Sequence, residues 1–97
     1  MSNWKASDIL KHATDLVGGD RAAQHGDKTA NHQNIANLWS AYLSTPITAD
    51  QVAIMMVLLK AARTKTGSVN RDDFVDMAGY AGVAGEIVGN FNGLLSK

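Results

Sequence analysis

Residues 48–63 read TADQVAIMMVLLKAAR, and the fold turns on how this stretch is read. Thr48 and Gln51 stand three apart, the spacing of a capping box, and Ile47 just ahead of them can staple onto Val52. From 52 to 62 almost every side chain is apolar, so the run predicts a helix buried around most of its circumference. Lys60 and Arg63 interrupt it near its end.

Working toward the C-terminus, residues 64–69 contain Gly67 and read as a connector. Asn70 then caps a further helix, whose positive first turn holds Asp72 and Asp73. The two helices form an antiparallel hairpin. The second is apolar along Phe74, Val75, Met77, Ala78, Tyr80, Ala81, Val83, Ala84 and Ile87, yet it carries Gly79, Gly82 and Gly85 at three-residue steps. Each such glycine costs about 1 kcal/mol relative to alanine in a helix interior. Steps of about 300° wind them into a stripe without side chains, suited either to tight packing inside the monomer or to a self-association seam. After Gly89 the tail, residues 90–97, is expected to fray.

Working toward the N-terminus, Pro46 breaks the chain ahead of the central run. A helix is predicted over residues 29–43, with Ile35, Ala36, Trp39, Tyr42 and Leu43 on one face and Trp39 and Tyr42 in the core. It carries no charged residue, so its face of Asn, Gln, His and Ser is expected to be partly covered by loop, partner or ligand. Residues 18–34 lack any large apolar side chain, which makes 18–31 a polar loop. Before it, Ile9, Leu10, Ala13, Leu16 and Val17 repeat at helical spacing from Ser7, a candidate cap, to Gly18 and Gly19. No stretch alternates with a two-residue period. The expectation is one all-α domain over residues 1–97: four helices around a central buried hairpin.

Composition narrows the function. Nine basic and nine acidic residues cancel, so no net field draws the 97-residue chain to nucleic acid or an anionic membrane. The absence of cysteine excludes disulfides, thiolate zinc sites, iron–sulfur clusters and a cysteine nucleophile. No apolar run is long enough to span a bilayer and no signal segment opens the chain, so a cytoplasmic location is expected, the host cytoplasm if the protein is phage-encoded. A chain of this size buries only about 60 to 65% of its unfolded surface. Homo-oligomerisation is therefore expected to help it.

The chemistry gathers on the hairpin. Lys60 and Arg63 end one helix where Asp73 and Asp76 begin the next, and Tyr80 lies one turn beyond Asp76. One reading is an ion-pair cluster that pins the two helices. The other is a phosphate site, with Lys60 and Arg63 on phosphate oxygens and the paired carboxylates on magnesium. His25, His32 and Asp27 match no metal-ligand spacing, and these histidines, like His12, are expected at the surface.

The order of Arg21, Gly26, Asp27, then Ile35, Ala36, Leu38, Trp39, then Leu59, Lys60, Ala62, Arg63, then Asp73, Asp76, Gly79 and Tyr80 resembles a group of short bacteriophage proteins. Their HGDK, LLKAAR and DDFVDMAGYA segments span roughly residues 20–88 here. That group is similar to the all-α MazG-like nucleotide pyrophosphohydrolases and to phage nucleotide-modification-associated domains. The resemblance implies a usually dimeric, magnesium-dependent nucleotide site. Asp73 and Asp76 then match the second acidic pair of the MazG pattern. Arg21, Lys28, Lys60, Arg63 and Tyr80 form the ligand set, and Asp27 is a further candidate metal ligand. The chain departs from the pattern at the earlier Glu-x-x-Glu pair, for which residues 29–43 hold no carboxylate. A two-metal mechanism needs about four carboxylates to offset its cations. The expected function is therefore phage nucleotide binding, with magnesium-dependent triphosphate pyrophosphohydrolysis as its enzymatic form. The alternatives are a non-catalytic protein that sequesters a nucleotide, or a structural or protein-interaction factor.

Overall fold

A computed structural model describes residues 3–18 and 27–95, with side chains as far as Asn90. Four helices, α1 (Ala6–Gly18), α2 (Lys28–Leu43), α3 (Ala49–Arg63) and α4 (Arg71–Leu95), make up the regular structure, and no strand occurs among the described residues. The all-α expectation holds.

The helix boundaries follow from local hydrogen bonding. At α3, Gln51 Oε1 accepts from the Thr48 backbone N–H at 3.0 Å, as the capping box requires. At α2, the Asp27 carboxylate accepts from Thr29 N–H at 2.9 Å, so the helix starts at Lys28 and the polar loop expected to reach residue 31 ends sooner. At α1, the start falls one residue before Ser7, where the Lys5 carbonyl accepts from both Asp8 and Ile9 N–H at 3.1 Å. The C-terminus of α2 closes on Ser44, held at φ 53° in the left-handed region. Ser40 Oγ then accepts from Ile47 N–H at 2.8 Å and fixes the turn into α3. Gly67, at φ 71°, shapes the turn into α4. The backbone of α4 stays helical to Leu95, past the point after Gly89 where a frayed tail was expected.

Helix α4 is the spine. It packs most extensively against α3 and also against α1, while α2 lies mainly on α3 and meets α4 through a few side chains. A methyl group built on Gly79 would sit 3.4 Å from Val17 Cγ1, so this glycine admits α1 closely. The rest of the stripe differs: among the described residues nothing lies within 4 Å of a methyl group built on Gly82 or Gly85.

The buried apolar residues are small: Ala13, Ala36, Ala49, Val52, Ala53, Val75, Val83 and Ala84. Ala53, Val83 and Ala84 form the central cluster, with Val17 and Ile87 packed against it. This corrects the expectation that α3 is buried around most of its circumference, because Ile54, Met55, Leu58 and Leu59 are exposed. Among the described elements α3 packs substantially only against α4 and α2, which leaves that side uncovered by them. On α2, Ala36 is fully buried, but Tyr42 is 88% exposed rather than in the core, and Trp39 is half-buried.

Candidate functional site

The hairpin delivers the expected pairing. Lys60 and Arg63 occupy the last turn of α3, the negative end of its dipole, and Asp73 the positive first turn of α4. Lys60 Nζ stands 3.0 Å from Asp76 Oδ2, and Arg63 Nε stands 3.3 Å from Asp73 Oδ1. Two cations and two carboxylates thus cancel across the seam.

The two pairs differ in how they meet solvent. Asp73 has a side chain only 3% exposed, whereas the Arg63 side chain paired with it is 54% exposed. The second oxygen of that carboxylate, Asp73 Oδ2, is buried without a hydrogen-bond partner. Such an oxygen costs free energy unless something meets it. The Lys60–Asp76 pair is partly buried on both sides.

The other sequence candidates lie elsewhere. The ring of Tyr80 stands against His32 of α2, centroids 6.3 Å apart in an edge-on arrangement. His32 Nδ1 donates to the Lys28 carbonyl at 2.8 Å, and its Nε2 is buried without a partner. His32 is therefore half-buried between helices, not at the surface as expected. Lys28 Nζ pairs with Glu86 at 3.2 Å, about 15 Å along α4 from Asp76 at the usual helical rise. Asp27 is the cap of α2. Among the described residues no three His, Asp or Glu side chains gather, so Asp27 does not join Asp73 and Asp76. Arg21 and His25 lie outside the described residues.

One contact escaped the sequence reading. Arg71 reaches His12 Nδ1 at 2.9 Å and ties the start of α4 to α1. His12 is thus half-buried at a helix contact, not a surface residue. Nothing local marks the pair, whose members are 59 residues apart.

Comparison with known proteins places the chain. The family model described as a domain of unknown function, DUF6378, matches residues 8–88. The chain belongs to this family. It is 46% identical over 76 residues to the Gene 55 protein of Mycobacterium phage L5, covering 77% of this chain and 49% of that protein. Against the Gene 55 protein of Mycobacterium phage D29 it is 45% identical over 74 residues, covering 76% of this chain and 49% of the relative. The chain thus spans about half the length of these curated relatives. No solved structure matches it. The bacteriophage part of the sequence resemblance is met by these relatives. Among the described residues no helix is long and apolar enough to cross a membrane.

Proposed function

We propose that this phage protein binds a nucleotide, or another phosphorylated small molecule, at the α3–α4 hairpin through Lys60 and Arg63, a reading that includes kinship with MazG-like proteins. The observation that carries it is the buried, unpartnered Oδ2 of Asp73 beside a half-exposed Arg63. A guanidinium in that position reaches solvent and suits phosphate geometry.

The four charges suggest how binding proceeds. A phosphate that draws Lys60 and Arg63 leaves Asp73 and Asp76 without their cations. A buried carboxylate stranded in this way is costly. Asp73 and Asp76 are the residues that would hold magnesium, which offsets phosphate charge when bound. Charge balance therefore couples the two ligands, and each should raise the affinity for the other.

The test is a thermal-shift screen against nucleoside mono-, di- and triphosphates with and without magnesium. A ligand that binds only the folded state raises its melting temperature. The expected result is a clear rise with a nucleotide and magnesium together and a much smaller rise with either alone. Arg63→Lys keeps the charge beside Asp73 but loses the planar fork, so it should fold and lose most of the shift. Release of pyrophosphate in the same mixtures separates hydrolysis from sequestration. A panel in which no nucleotide shifts the melt, with or without magnesium, overturns the proposal and leaves the cluster as a structural ion-pair pin.

A further inference from the structure

Helix α1 is joined to the other described elements mainly through α4. Ala13 is buried, Val17 packs by Gly79 and against the central cluster, and Trp4, just ahead of the helix, meets Phe74 with ring centroids 6.3 Å apart. Among the described residues a single polar contact joins α1 to another helix, that of His12 with the Arg71 guanidinium at 2.9 Å. Both side chains belong to half-buried residues.

The chemistry of the pair fixes which form of the ring can make it. An arginine has five N–H donors and no acceptor, and it keeps its charge at every pH relevant to a folded protein. His12 Nδ1 therefore accepts, which places the ring proton on Nε2 and leaves the imidazole neutral. A proton on Nδ1 would set donor against donor and cation against cation.

The surrounding charges do not offset that repulsion. Among the described residues no carboxylate lies within ion-pairing distance of His12. On α4, Asp73 is taken by Arg63 and Asp76 by Lys60, Asp72 is exposed without an ion pair, and Arg71 itself opens the helix at the positive end of its dipole. On α1, Asp8 and Asp15 lie one turn to either side of His12 and are exposed, as are Lys5 and Lys11. An imidazolium is better placed turned toward those carboxylates and water than against Arg71, and turning away breaks the contact with α4.

We propose that His12 and Arg71 form a pH-sensitive latch, which holds α1 on α4 while the imidazole is neutral and releases it when the ring is protonated. In acid the released state holds one proton more than the docked state, so docking weakens as pH falls through the range in which imidazoles titrate, about pH 8 to 5. Release draws Ala13 and Val17 away and uncovers the flank of α4 around Gly79. The α3–α4 hairpin, whose ion pairs do not involve His12, stays closed.

Two measurements on the 15N-labelled protein test the latch. At about pH 7.5 the ring nitrogen shifts of unsubstituted His12 should show the proton on Nε2 and a bare Nδ1. Amide exchange, corrected for intrinsic rates, should show the protection of α1 falling about tenfold between about pH 7.5 and pH 5.5, as expected for the loss of one hydrogen bond to a charged group, while α3 keeps its protection. His12→Gln, uncharged throughout and with His32 left in place, should give α1 the same protection at both pH values. Arg71→Met keeps an apolar stem without the cation, so it should lower α1 protection at the higher pH and abolish the further fall. A ring proton on Nδ1 overturns the proposal, as does α1 protection that is unchanged by acid or falls together with that of α3. A fall that persists in His12→Gln also overturns it and assigns the pH dependence to another group.

Discussion

The two faces of α3 are built from opposite residue choices. Toward α4 it presents small side chains such as Ala53, fully buried, together with Lys60 and Arg63 on their aspartates. Away from α4 it presents Ile54, Met55, Leu58 and Leu59, all exposed. Small residues let two backbones approach closely, and that approach brings the ends of α3 and α4 within ion-pairing distance. Large residues on the inner face would hold the helices apart and separate Arg63 from Asp73. The comparison teaches that hydrophobicity alone did not decide which side of α3 turns inward. Side-chain size and the placement of charge at the helix ends did.

The sharpest way to break this contrast is at the buried carboxylate. Arg63→Ala strands Asp73, and unfolding experiments should show a loss of about 3 kcal/mol, the lower part of the range for a broken buried pair because the start of α4 still favours an anion. Asp73→Asn should cost much less, since the half-exposed Arg63 it releases returns to water. Equal losses from the two variants would mean that burial of Asp73 is not what matters.

Packing gives the next effect. Ala53 is fully buried in the central cluster, and Ala53→Leu should destabilise by about 1 to 3 kcal/mol through overpacking. The same enlargement at the exposed Ala41 of α2 should leave the melt nearly unchanged. Smaller and opposite in sign, Gly82→Ala should stabilise α4 by about 1 kcal/mol, because a methyl there meets nothing within 4 Å. Last comes Glu86→Ala: its pair with Lys28 is partly solvated on both sides, so chemical denaturation should detect a change within about 0.5 kcal/mol.

Much of this architecture is legible in the sequence where the determinants are local. The capping pair Thr48 and Gln51 fixes the start of α3, and the three-residue spacing of Lys60 with Arg63 and of Asp73 with Asp76 foretells the two ion pairs. Asp27 is also locally marked, as an acidic residue ahead of a helical run, and its carboxylate caps α2. The burial of α3 is not legible in the same way, because periodicity reveals faces only when polar residues mark one of them. Residues 52–59 contain none. The contacts of His12 with Arg71 and of His32 with Tyr80 join helices distant in sequence, and they depend on how α1 and α2 are placed around α4.

The hairpin as a phosphate site is most directly tested by locating the ligand. Backbone amide resonances of the 15N-labelled protein would be followed while a magnesium nucleoside triphosphate is added. The account predicts that the largest shifts cluster at the end of α3 around Lys60 and Arg63 and at the start of α4 around Asp73 and Asp76. Shifts centred instead on His32 and Lys28, or none at saturating ligand, would contradict it.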